Sequence, residues 1–327
     1  MSRAAAGPAP PLIERRLWFV LGKGGSGKST VSATLGLTAA LAGRRTLLME
    51  VAGQNRVSAI FAGASVGHER PVELRPGLFG LSVMAEQAME EYLTGQLRMR
   101  PLVEVLSRSR AFHHFVAAAP GLAEIVTLGK IWSLATELEP DGSKPVWDAL
   151  VVDAPATGHA LALLDAAGRI AQIATGGPIH EQAERIEAVI QHPAATGIVV
   201  VARPEELAVS EALDAAAELA ERELPAALAV LNAMHSRRFS AGDDAALEAA
   251  LGAGPLPPAE RAALEAAHAR RVRELDEQGL LERLRDGVGL PVLELPCLIA
   301  RQIDLPALEG VAEDLARERP PALFGAT

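Results

Sequence analysis

Nine residues near the start of the chain, Gly22–Thr30, read G-K-G-G-S-G-K-S-T and constrain the fold more than any other stretch. Gly22, Gly27, Lys28 and Ser29 satisfy the pattern G-x-x-x-x-G-K-[ST]. The apolar run Leu17–Leu21 precedes it and a helix-compatible stretch, Val31–Ala42, follows. Strand, glycine loop, lysine, hydroxyl and helix in that order describe a phosphate-binding loop rather than a flexible glycine-rich turn, the plainer alternative.

The residue types explain the chemistry. Gly22, Gly24, Gly25 and Gly27 let the backbone turn tightly around Ser26, so that several N–H groups and the positive end of the following helix converge on one anion. Lys28 is placed to hold terminal phosphates. The hydroxyl of Ser29, followed by Thr30, is placed to hold Mg²⁺ against them. A nucleotide is the expected ligand.

Six further short apolar runs recur along the chain: Thr46–Val51, Leu81–Met84, Ala149–Asp153, Ile198–Ala202, Ala227–Leu231 and Pro291–Leu295. They are continuous rather than alternating, which suits strands buried on both faces with helical crossovers between them. The expected fold class is α/β, a doubly wound and mostly parallel sheet. Its ligand belongs at the carboxyl ends of the strands, where Gly22, Asp153 and Asn232 all fall. Two stretches exceed simple crossovers and read as helical insertions forming a subdomain, at about residues 85–139 and 236–286. Their apolar residues suit packing on one another and on the sheet; a groove for an apolar partner segment is the sharper reading. Residues 13–319 are expected to form one domain, with flexible ends at 1–12 and 320–327.

Composition narrows the classes. With 327 residues, 49% of them hydrophobic and 22% charged, the chain is long enough for a sizeable core. No uncharged apolar run reaches the roughly 18 residues of a membrane span, and no signal peptide is apparent, so the expected compartment is the cytoplasm. The net charge of −10 opposes nucleic acid as a partner. The single cysteine, Cys297, allows neither an internal disulfide nor a cysteine metal cluster within one chain. Adjacent His113 and His114 point roughly 100° apart on a helix and make a poor metal pair.

A second segment faces the same site. The apolar stretch ending on Asp153 runs into Ala154-Pro155-Ala156-Thr157-Gly158-His159. An acid there can support the Mg²⁺ shell, and a glycine turn can sense the terminal phosphate.

Two motifs carry a resemblance. The string K-G-G-S-G-K-S-T, with its extra Lys23, resembles the deviant Walker A loop of the MinD, ParA, nitrogenase iron protein and ArsA group. The wording D-A-P-A-T-G-H-A-L-A-L-L from Asp153 to Leu164 is similar to the ArsA family's D-x-A-P-T-G-H-T-L-R, which MinD and ParA lack. Gly121-Leu122-Ala123-Glu124, Arg203-Pro204-Glu205-Glu206 and Val230-Leu231-Asn232 add to the likeness, which spans about Leu17–Leu315. It implies a dimeric ATPase using ATP and Mg²⁺, with Lys23 reaching a partner subunit's phosphates and Gly158 in the switch. It also implies Asn232 at the adenine, flanked by Pro296 and Cys297. The partner would be a second copy or a paralogue, and the client an apolar protein segment.

Departures matter as much. Where the family carries D-P-A after the second strand, this chain has Glu50-Val51-Ala52-Gly53-Gln54, and Ala52 falls at the water-positioning aspartate. Glu50 or Gln54 is the candidate substitute; the alternative is a regulatory subunit that binds ATP without turning it over. The cysteines of the arsenite site are missing, which argues against a metalloid pump; a ParA- or MinD-like positioning role predicts a basic DNA surface or a C-terminal amphipathic membrane helix, and Asp304–Arg319, with five acids against two arginines, fits attraction to anionic lipid poorly.

Overall fold

The computed structural model describes residues 9–51, 56–61, 66–97, 121–174, 176–240, 242–298 and 305–325. Among them, eight strands form one sheet: β1 (Leu17–Gly22), β2 (Thr46–Val51), β3 (Val72–Arg75), β4 (Leu78–Val83), β5 (Ala149–Asp153), β6 (Thr196–Ala202), β7 (Ala226–Met234) and β8 (Val292–Pro296). The order is β3-β4-β2-β5-β1-β6-β7-β8, parallel throughout except for the β3–β4 pair. All seven expected strands form. β3 is an addition: of Val72-Glu73-Leu74-Arg75 only Leu74 is buried, as an antiparallel strand with one solvated face allows.

The central strands are apolar on both faces because helices cover both. Leu17, Phe19 and Leu21 join one core with Leu47, Met49, Leu150 and Val152, whereas Trp18 and Val20 point into the other with Leu48 and Val151. The first core is closed by α4 (Leu122–Thr136), α5 (Thr157–Ile173), α6 (Pro178–Gln191) and α7 (Glu206–Glu221). The second is closed mainly by α1 (Lys28–Leu41), α2 (Arg56–Ile60) and α10 (Leu305–Glu318). Burying a leucine or valine from water contributes roughly 1.5–3 kcal/mol, so these two layers supply the main favourable term of the fold.

The first insertion contributes α3 (Ala85–Leu97) and α4, with residues 98–120, including His113 and His114, outside the described set. The second contributes α8 (Asp243–Gly252) and the 31-residue α9 (Pro258–Val288). Only the last part of α9 enters the sheet core, through Leu281, Leu284 and Val288. Its middle is held by charge: Arg271 donates to Asp244 of α8, and Glu274 accepts from Arg270 and from the Arg238 backbone.

Both expected flexible ends are shorter at their inner limits, within the described residues; residues 1–8, 326 and 327 lie outside them. Leu12 is 1% exposed within a single 3-10 turn, Leu12–Glu14, so order begins before residue 13. At the other end, Pro321–Phe324 forms a short helix, α11, burying Leu323 and Phe324 next to that turn. A proline preset for a helix start and two large apolar side chains outweigh the fraying usual at a terminus.

Candidate active site

β1 delivers the loop Lys23–Gly27 to the carboxyl edge of the sheet between β5 and β6, and α1 opens at Lys28. Gly22 is there because β6 is so near: a Cβ would lie 2.5 Å from the Val201 carbonyl oxygen. Gly27 holds φ +86°, which favours glycine. No side chain caps α1, so its first-turn N–H groups are left to the cleft beside the loop. That cleft measures about 530 Å³ and is lined by Gly25, Gly27, Lys28, Ser29, Thr30 and Arg56.

Lys28 is buried, and its Nζ donates to the Lys23 carbonyl at 3.2 Å. Burial pushes its pKa down, the charge of Asp153 opposes that, and Arg56 adds to the lowering. Two cations sharing one cleft over an uncapped helix end make a strong preference for a polyanion. Arg56 is a residue that sequence reading missed, since only the fold of β2 and α2 brings it opposite the loop.

Beneath the loop, the Ser29 hydroxyl donates to Asp153 Oδ2 at 2.6 Å, and Ser32, one helical turn on, donates to Oδ1 at 3.3 Å. Asp153 ends β5, in register with Val20 of β1 and Glu50 of β2. Its pKa is raised, chiefly by burial, with the Ser29 bond and the Lys28 charge opposing and the neighbouring Glu50 charge adding. Among the described residues, no group of three or more His, Cys, Asp or Glu side chains could hold a metal by itself. One hydroxyl and one carboxylate instead suit Mg²⁺, which keeps waters and takes phosphate oxygens into its shell. Ser29 and Asp153 would hold it, and it would supply charge neutralisation at the β- and γ-phosphates.

Glu50 takes a structural position. It is 2% exposed; its Oε1 accepts from the Arg56 N–H at 2.7 Å and its Oε2 from the Val57 N–H at 3.3 Å. Both oxygens thus cap α2, the piece of chain that carries Arg56. Ala52 and Gln54 lie outside the described residues. Gly158 is exposed in the first turn of α5 and does not line the cleft.

At the other end of the loop, Asn232 Nδ2 donates to the Ser26 carbonyl at 3.0 Å. Pro296 pairs with Met234, and the Cys297 N–H donates to the Met234 carbonyl at 2.7 Å, so both follow Asn232 closely in space. Pro296 lines a separate cavity of about 270 Å³ with Met234, His235 and Glu277. Lys23 faces outward: its Nζ donates to Glu211 Oε1 on α7 at 2.6 Å, with both side chains near half exposed. Glu211 is another partner that no sequence motif announces.

Known proteins are similar to this chain in sequence. Residues 15–175, from β1 through α5, match the family described as Anion-transporting ATPase. Over 319 aligned residues the chain is 31% identical to ATPase BagA of Mycobacterium tuberculosis, covering 93% of each. The chain belongs to the ArsA ATPase family. A more distant relative is the arsenical pump-driving ATPase of Acidiphilium multivorum, 25% identical over 230 residues, which covers 65% of this chain and 38% of that one. As an ArsA-family ATPase, the protein is a nucleotide-binding enzyme on a mixed α/β sheet. No helix among the described residues is long and apolar enough to cross a membrane.

Proposed function

We propose that this ATPase is a switch that closes MgATP between two subunits, identical or paralogous, and passes the nucleotide state to a client groove. The observation that carries the reading is the position of Asp153. It accepts from Ser29 under the loop, and α5 starts a few residues beyond it. α5 packs on α4 and α6, which with α3 line an apolar groove of about 340 Å³. Met89, Tyr92, Ile125, Val126, Trp132 and Ile186 face that groove. A shift at the metal site on hydrolysis would therefore be felt one helix away from an apolar surface suited to a protein segment.

In this reading Lys28 holds the terminal phosphates, Arg56 adds positive charge beside them, and the loop N–H groups orient the anion. Lys23 would leave Glu211 and reach the phosphates in the partner's site. Asn232, Pro296 and Cys297 would flank the base, and Gly158 would move with the switch.

Phosphate release by the purified protein, paired with sedimentation in MgATP and in MgADP, tests this. Turnover lost in Lys28→Ala and a dimer favoured by MgATP support the switch. Tight ATP binding without turnover supports the second reading, a regulatory subunit that holds ATP. That reading draws on Ala52 at the aspartate position and on the engagement of both Glu50 oxygens with α2.

A further inference from the structure

Asn232 is held in a way that reading a base does not require. β7 carries a register shift between Leu231 and Met234, and Ala233 sits at φ +65°, a conformation a non-glycine residue rarely adopts. The segment beyond is pinned on two sides. Cys297 donates to the Met234 carbonyl, and Glu277 accepts from the His235 N–H at 3.0 Å and pairs with its Nδ1 at 2.5 Å. The bulge delivers the Asn232 side chain, 8% exposed, across to the phosphate loop. There the atom facing the Ser26 carbonyl must be the amide nitrogen, since a carbonyl only accepts.

The loop is shaped to receive it. A Cβ on Gly27 would lie 2.2 Å from Asn232 Nδ2, so glycine at 27 permits the approach as well as the positive φ. The Ser26 hydroxyl is buried without a partner among the described residues, which leaves the bond from Asn232 as the side-chain contact fixing this residue's peptide. The Ser26–Gly27 peptide is planar and trans, so its carbonyl and its N–H point in opposite directions. A bond that fixes the Ser26 carbonyl on one side aims the Gly27 N–H to the other.

We propose that Asn232 is a positioning residue for the phosphate loop: by holding the Ser26 carbonyl it presets the Gly27 N–H for the anion before any base is bound. The Asn232 Oδ1 stays available as an acceptor, so the role adds to base recognition. It rests on the reading that Gly22–Thr30 holds nucleotide phosphates.

Hydrogen exchange of the ligand-free protein tests the tether without a base. Asn232→Ala should speed exchange of the amides at residues 23–28 by about fivefold, with β1 and β5 unchanged. Should Asn232→Ala loosen the whole fold, Asn232→Asp, which keeps the shape and removes the donor, is expected to give the same local effect. In parallel, Asn232→Ala should weaken Mg²⁺-tripolyphosphate about fivefold and MgATP by at least that factor, because the tripolyphosphate has no base to lose. Unchanged loop exchange in both variants overturns the proposal. So does a loss confined to ATP, which would mark Asn232 as a base contact alone. If the wild type binds neither ATP nor tripolyphosphate, the nucleotide reading itself fails and this proposal goes with it.

Discussion

One lysine lies on the inner edge of the phosphate loop and another on its outer edge, and their surroundings differ. Lys28 is 5% exposed, bonded to the loop's own carbonyl, and flanked by Asp153 and Arg56. Lys23 has a side chain 44% exposed and leans on Glu211 of another helix. The inner edge is complete within one chain, with Ser29, Ser32 and Asp153 interlocked. The outer edge has an exposed cation on a surface ion pair, a contact worth at most about 1 kcal/mol. Such a difference suits a site of which one half is built by folding and the other by assembly.

Breaking the inner edge should cost most. In the proposed site Lys28→Ala removes the principal cation at the terminal phosphates, and phosphate release should fall by roughly 100- to 1000-fold. Asp153→Asn should lower turnover and Mg²⁺ affinity by about 10- to 100-fold, read by a magnesium titration of phosphate release.

The same variant has a second, opposite effect. Burial raises the Asp153 pKa, so the folded chain keeps this proton to a higher pH than the unfolded chain does. Its contribution to stability is therefore greatest below the unfolded value and declines as pH rises through the folded value. Above the folded value the buried charge opposes folding. Asp153→Asn should accordingly stabilise the protein, without nucleotide or Mg²⁺, read as a higher Tm at pH 7. A lower Tm would show that the bonds from Ser29 and Ser32 outweigh the burial cost.

Glu50→Ala comes next. It strips two N–H groups of their acceptor at the start of α2, and should lower Tm by about 4 °C and turnover about tenfold by loosening Arg56. Turnover at the wild-type level would separate Arg56 from the phosphates. The smallest effect belongs to the outer edge: Glu211→Gln frees Lys23 and should tighten the MgATP-dependent dimer by no more than about fivefold, read by sedimentation.

The sequence carried the inner edge more fully than the outer. Gly22–Thr30 and Asp153 are legible because their chemistry is local: a glycine loop after a strand, an acid at a strand end. The seven expected strands were legible because burial on both faces leaves unbroken apolar runs such as Leu150-Val151-Val152. β3 was not, being a four-residue edge strand in which Glu73 and Arg75 interrupt any apolar run. Ser32 resembles any small helical residue until Asp153 is placed opposite it. Arg56 and Glu211 have roles set entirely by tertiary position, 28 and 188 residues from their partners Lys28 and Lys23. The tail at Pro321–Phe324 misled for a related reason: its burial depends on the turn at Leu12–Glu14, from the opposite end of the chain.

The claim that the outer edge is completed by a second subunit can be tested by mixing two variants. Lys23→Ala and Lys28→Ala should each be nearly inactive alone. In a mixed dimer, the Lys23→Ala subunit keeps its own Lys28 and receives Lys23 from its partner, so one of two sites is whole. An equimolar mixture re-equilibrated with MgATP should recover about a quarter of wild-type phosphate release, the share of whole sites when subunits pair at random across a two-fold axis. A mixture no more active than the two variants measured separately would contradict the account and return Lys23 to its own chain.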